Sequence, residues 1–192
     1  MAAGLVLGGC SSGNGDEGTA GGGRAGGGGD ASAEQAIAMT ITELHVESMA
    51  AAPGPFPEDV WAQVHGVLDA YLDRGLVRPL RSGEPPRDLE PLFSPAALQR
   101  ATTVDYVAVL EDGTALAGPV TSPRANAALT LLTDRDGRPV VVNARLDLSL
   151  SVESDDLGTV VLDRTGEVVL VDDGQGWRID SYDLRNRRDT AA

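Results

Sequence analysis

Few side chains in this sequence are equipped for chemistry. There is one cysteine, Cys10, and there are two histidines, His45 and His65. A single thiol forms no internal disulfide and builds no cysteine-ligated zinc or iron–sulfur centre. The histidines fall in separate segments, and the pattern predicts surface positions for both and no metal site. Asp134-Arg135-Asp136-Gly137 has the opening of a calcium loop but lacks the third acidic ligand and the distal glutamate, so it reads as a hairpin turn. No serine stands in a nucleophile elbow with a His–Asp pair, which leaves hydrolase chemistry without a carrier. A glycine-rich phosphate loop would need a strand before it and a helix after it, and the glycines near the start have neither. No motif calls for a cofactor. The aromatic side chains Trp61, Tyr71, Tyr106 and Trp177 are the remaining groups that could line a binding pocket.

The elements that must position these residues follow from composition and periodicity. With 192 residues and a low-complexity start, the chain has room for one domain of ordinary size. All 15 basic residues are arginine, and the formal net charge is -14. Such acidity excludes nucleic acid and anionic lipid headgroups as partners, because both require a basic patch. Residues 11–32 are dominated by glycine with small polar residues; they lose much backbone entropy on ordering and bury little in return, so a disordered tether is expected. Residues 33–56 hold a short helix or an added edge strand, then a break at Pro53-Gly54-Pro55. From Pro57 the apolar residues Val60, Trp61, Val64, Val67, Leu68, Tyr71 and Leu72 recur at helical spacing, behind Glu58 and Asp59 in the first turn. Gly75 is the expected terminator, with Pro79 beyond it. A second helix begins at Ser94-Pro95, an N-cap serine followed by proline at the first helical position, and runs to Ala101.

After residue 102 the period changes from helical to two. Strands are predicted over Val104–Leu110, Ala127–Thr133, Pro139–Val152, Thr159–Leu162, Glu167–Val171 and Trp177–Tyr182. They are separated by the acidic-then-glycine runs Glu111-Asp112-Gly113, Asp134 to Gly137, Asp163-Arg164-Thr165-Gly166 and Asp172-Asp173-Gly174. In the clearest strand, Val140, Val142, Ala144, Leu146, Leu148, Leu150 and Val152 share one face. Asn143, Arg145, Asp147, Ser149 and Ser151 share the other, so one side is buried and one is wet. Residues 185–192, with Arg185, Arg187 and Arg188, read as a disordered tail. Helices followed by an antiparallel meander describe an α+β domain with its helices on one face of a curved sheet.

Leu7-Gly8-Gly9-Cys10, followed by Ser11 and Ser12, resembles the lipobox of bacterial lipoproteins, in which an aliphatic residue and two small ones precede the modified cysteine. The resemblance implies a partial signal peptide and lipobox over 1–10 and diacylglyceryl modification of Cys10. It further implies a domain held by that lipid anchor on the extracytoplasmic face of the cell membrane. Only nine residues precede Cys10 and none is basic, so a start further upstream is expected.

Residues 57–184 resemble the nuclear transport factor 2 superfamily, the cone-shaped fold shared with ketosteroid isomerase and polyketide cyclases. The likeness is carried by Asp69-Ala70-Tyr71-Leu72-Asp73-Arg74-Gly75 on the first helix, by Leu92-Phe93-Ser94-Pro95, and by the final strand Gly176 to Tyr182. It implies a cone whose pocket draws on Trp61, Tyr71, Tyr106 and Trp177. In the isomerase branch Tyr71 would donate to an enolate, Asp105 would shuttle the proton and Asp147 would supply a third group. Yet Asp147 shares the polar face with Arg145, and Asp105 is out of phase with Val104 and Tyr106. The reading adopted is therefore a membrane-anchored, non-catalytic domain that binds a small apolar ligand or an envelope protein, with homodimerisation through sheet faces as a further arrangement. The alternative is a cone-pocket isomerase or cyclase using Tyr71 and a carboxylate.

Overall fold

A computed structural model describes residues 36–49 and 54–190. The expectations for the lipobox at Cys10 and for the tether over 11–32 lie outside the described residues. The architecture is α+β: a five-stranded mixed sheet in the order β1-β2-β3-β4-β5, open rather than closed into a barrel, with helices on one face. The strands are β1 Thr40–Ser48, β2 Val120–Thr133, β3 Pro139–Ser154, β4 Gly158–Asp172 and β5 Trp177–Thr190. The last four form the expected antiparallel meander. β1 resolves the open choice over 33–56: it is an edge strand, and it pairs parallel to β2 because the helical layer carries the chain back between them.

Met39, just before β1, is gripped by the first helix at both of its main-chain groups. Asp69 Oδ1 accepts from its N–H at 2.6 Å, and His65 Nε2 lies 2.9 Å from its carbonyl oxygen. That carbonyl can only accept, so Nε2 carries the proton. Trp61 stacks on the imidazole with 5.1 Å between centroids, which fixes the ring. His65 thus has a structural partner, while His45 is exposed on β1. Among the described residues no group of three or more His, Cys, Asp or Glu side chains is placed to hold a metal ion.

The first helix runs further than expected. α1, Glu58–Tyr71, passes through a π-helical segment, Leu72–Val77, into α2, Arg78–Ser82, and Gly83 ends it in the left-handed conformation at φ 70. Gly75 is therefore not the terminator. The cause of the widened turn is Pro79, which has no N–H to offer the Gly75 carbonyl four residues earlier and whose ring crowds it. Glu111 N–H takes over that carbonyl at 3.0 Å. Glycine at 75 also admits close contact, since a Cβ there would lie 3.2 Å from the Tyr71 ring and 3.3 Å from Leu110. Val60, Val64, Leu68, Tyr71, Leu72 and Leu76 form the buried stripe and share one core with the inward β3 residues from Val142 to Val152.

α3, Pro95–Ala101, starts as expected, with Ser94 Oγ accepting from Ala97 N–H. Residues 104–110 do not form a strand. Asp105 leads into the short helix α4, Tyr106–Val109, and Glu111-Asp112-Gly113 belongs to a segment that crosses the helix end instead of closing a hairpin. That segment is stitched down by Gly118 N–H on Leu80 O and by Glu153 N–H on Pro119 O, both at 3.0 Å. Two further corrections concern β4 and β5. Asp163-Arg164-Thr165-Gly166 is continuous strand, and its glycine serves a close approach to β5: a Cβ would lie 2.0 Å from the Asp183 carbonyl oxygen. Arg185, Arg187 and Arg188 lie within β5, paired to β4 as far as Thr190, where a disordered tail was expected. Among the described residues no helix is long and apolar enough to cross a membrane.

Candidate functional site

The four candidate aromatics do not share one pocket. Trp61 is half-buried on α1 against His65, and Trp177 is buried at the start of β5. Tyr71 has 0% exposure; its ring meets Phe93 edge-on, and its hydroxyl donates to the Val109 carbonyl at 2.6 Å. Only Tyr106 borders one of the two concavities described below. The isomerase set is likewise dispersed. Asp105 accepts from Arg100 at 2.8 Å and from Tyr182 Oη at 3.1 Å. Asp147 sits on the helix-free face of the sheet, paired with Arg124 Nε at 2.9 Å.

What the fold gathers instead is a polar cluster around the 105–111 segment. Arg164, 4% exposed, projects from β4 into the helical layer. Its guanidinium donates to Glu111 Oε1 at 2.8 Å and to the carbonyls of Val109, Leu110 and Val107 at 3.2, 3.3 and 3.4 Å. It thereby caps the exit of α4, whose last carbonyls have no helical donors. Glu111, 3% exposed, accepts a second guanidinium through Oε2, that of Arg188 on β5 at 3.0 Å. β5 supplies two more props from the same face, Tyr182 on Asp105 and Asn186 Nδ2 on Val107 O at 2.9 Å. Two positive charges against one carboxylate leave the cluster with a surplus positive charge, carried by Arg188, whose side chain is 44% exposed.

Burial pushes the Tyr71 phenol above its ordinary value, against the opposing pull of Arg164. Burial, together with the bond to Asp105, pushes Tyr182 up to about 12. Both side chains therefore stabilise the fold in their neutral form. Their contribution is complete below the unfolded tyrosine value of about 10 and is lost as the pH climbs towards the folded value. The expected outcome is a falling denaturant midpoint between about pH 10 and pH 12, with Tyr182→Phe falling less than wild type over the same interval. Guanidinium unfolding at a series of alkaline pH values checks this, and parallel curves for the two proteins would refute it.

Two concavities lie on opposite sides of the sheet. The larger, about 570 Å³, is on the helix-free face over β1 to β5, with Asn126, Arg145, Asp147, Thr165, Asp183 and Arg185 among its lining. Cross-strand register sets Asp147 beside Thr165 and Arg185 in one row, and Arg145 beside Glu167 and Asp183 in the next. Opposite charges therefore alternate along β3, from Arg145 to Asp147, and along β5, from Asp183 to Arg185. Among the described residues neither Arg145 nor Arg185 makes an ion pair or a side-chain hydrogen bond. The smaller, about 460 Å³, opens between α4 and β5 and is lined by Tyr106, Val107, Leu110, Glu111, Asp112, Ala115, Asn186 and Arg188.

Sequence reasoning singled out Tyr106 but missed Glu111, Arg164 and Arg188. Arg164 sits at an inward-facing position of a strand, and that phase was the available signal; the acidic-then-glycine run around it disguised the strand as a turn. Comparison of the chain with known protein families, with curated proteins and with solved structures finds no match.

Proposed function

We propose that this chain is a lipid-anchored envelope protein, held on the extracytoplasmic face through Cys10, whose domain is a binding module. In this reading it presents the helix-free sheet face to a protein partner. The observation that carries the binding face is the groove of about 570 Å³ in which Arg145 and Arg185 stand without partners among the described residues, amid Asp147, Glu167 and Asp183. Unpaired guanidiniums fixed on rigid strands can form forked, charge-assisted hydrogen bonds with carboxylates at no cost of breaking an internal pair. The alternation of signs gives register and specificity more than raw affinity. A cone lined by Tyr71 draws less support, because that hydroxyl is already bonded to Val109 and fully enclosed. The same enclosure weighs against an isomerase using Tyr71, which would need an open cavity at the hydroxyl. The domain is read as a filled variant of the nuclear transport factor 2-like cone, on the strength of helices Glu58–Tyr71 and Pro95–Ala101 preceding a meander that ends in Trp177–Thr190.

The test is a photo-crosslinking residue at Thr165, the exposed centre of the groove, in cells that make the protein natively. The expected result is one dominant crosslinked partner that disappears in the Arg145→Glu/Arg185→Glu variant. Retention of the same crosslink in that variant would reject the face.

A further inference from the structure

The smaller recess brings together, at one mouth, groups that have unmet hydrogen-bonding capacity and opposite charge. Asn186 donates its Nδ2 to Val107 O and so ties β5 to α4 at this recess; its Oδ1 is shielded from solvent and has no hydrogen-bond partner among the described residues. Arg188 gives one N–H arm to Glu111 and keeps the rest of its fork open on a side chain that is 44% exposed. Glu111 itself is saturated by Arg164 and Arg188, so it neutralises one guanidinium and leaves the surplus positive charge at the mouth. Asp112, also in the lining, fixes its carboxylate through Oδ1, which accepts from Thr114 Oγ1 at 2.7 Å and from Thr114 N at 3.0 Å. These bonds keep its carboxyl below the usual carboxylate range, so it is ionised at neutral pH. Its Oδ2 is unused among the described residues. The phenol of Tyr106 makes no hydrogen bond among the described residues, and Val107, Leu110 and Ala115 supply apolar wall.

A forked cation and a carboxylate beside an apolar wall match a ligand with a carboxylate at one end, an ammonium beside it and an apolar side chain. From this juxtaposition we propose that the recess between α4 and β5 binds a free α-amino acid with an aliphatic side chain. The ligand carboxylate lies on the open arm of Arg188. Its ammonium donates to Asp112 Oδ2, and its side chain covers Val107 and Ala115. The site is separate from the sheet-face groove: no residue lines both, and it stands or falls independently of the partner proposed there.

Titration of the full chain with L-leucine, followed by backbone-amide NMR, tests the assignment, with 4-methylpentanoate and isoamylamine as the two half-ligands. The expected result is saturable binding by leucine with shifts confined to residues 105–115 and 182–190, and each half-ligand at least about tenfold weaker. Arg188→Lys, which keeps a charge for Glu111 but loses the fork, and Asp112→Asn, which keeps an oxygen for Thr114, should each weaken leucine at least about tenfold. Should Arg188→Lys fail to fold, the Asp112→Asn titration decides alone. Absence of saturation by leucine at about 10 mM overturns the proposal, as does equal binding of 4-methylpentanoate or wild-type affinity in Asp112→Asn.

Discussion

Arg164→Met is expected to cost about 3–5 kcal/mol of folding stability, a large share of the 5–15 kcal/mol that holds a typical domain together. The substitution is close in volume, so the loss is electrostatic rather than a cavity. Glu111, 3% exposed, would keep only the half-exposed Arg188 as its partner. The Leu110 and Val107 carbonyls would lose a donor at the exit of α4, and Val109 O would retain only Tyr71. The companion variant Arg164→Met/Glu111→Leu removes both charges together. A well-packed apolar pair can replace a buried ion pair at little net cost, but the carbonyls stay short of donors, so recovery of about half the loss is expected. Guanidinium unfolding at neutral pH measures both. A loss under about 1 kcal/mol for the single variant would mean that water reaches Glu111 and that the cluster is not buried as described.

Gly113→Ala is the second large effect. A Cβ at this position would fall 1.8 Å from the Pro79 carbonyl oxygen, 2.5 Å from its carbon and 2.8 Å from the Glu84 carbonyl oxygen. All three are backbone atoms at the end of a packed helix, so no rotamer change relieves the overlap. The crossing segment must lift, and with it go the bonds of Glu111 N–H to Gly75 and of Gly118 N–H to Leu80. A loss of about 3–4 kcal/mol is expected, among the larger single-substitution effects. Hydrogen exchange should localise it to residues 110–118 and to the π-helical segment Leu72–Val77, whose Gly75 carbonyl would lose its donor. Wild-type stability would contradict the close crossing.

The contrast between what was legible and what was not follows the range of the interactions. The Ser94-Pro95 start of α3 and the two faces of β3 were readable because their causes are local: an N-cap geometry and an alternation of period two. The apolar stripe of α1 was readable for the same reason, but its end was not. Gly75 is a terminator only if nothing else takes its carbonyl, and the donor that does, Glu111, lies far along the chain. Arg164 fails similarly. A charged residue before Thr-Gly reads as a turn unless its buried partner, 53 residues away, is known. β1 pairs parallel to β2 across the whole helical layer, and a nine-residue segment carries no mark of that direction. β5 past Tyr182 alternates too, but its inward residues Asn186 and Arg188 are polar because they meet the carbonyls and carboxylate of the 105–111 segment. Hydrophobic periodicity is blind to that kind of burial. The candidate surfaces consequently emerged mostly from tertiary contacts, although Tyr106 and Asp105 beside the polar cluster and Asp147 in the sheet-face groove were singled out beforehand.

The proposed anchor at Cys10 would decide where any of these surfaces can act, and the mass of the mature protein tests it most directly. Protein extracted from its native membrane is expected to begin at Cys10 with a diacylglyceryl group on Sγ, and Cys10→Ala is expected to appear in the soluble fraction. A native chain that retains Met1 and an unmodified Cys10 thiol would contradict the account.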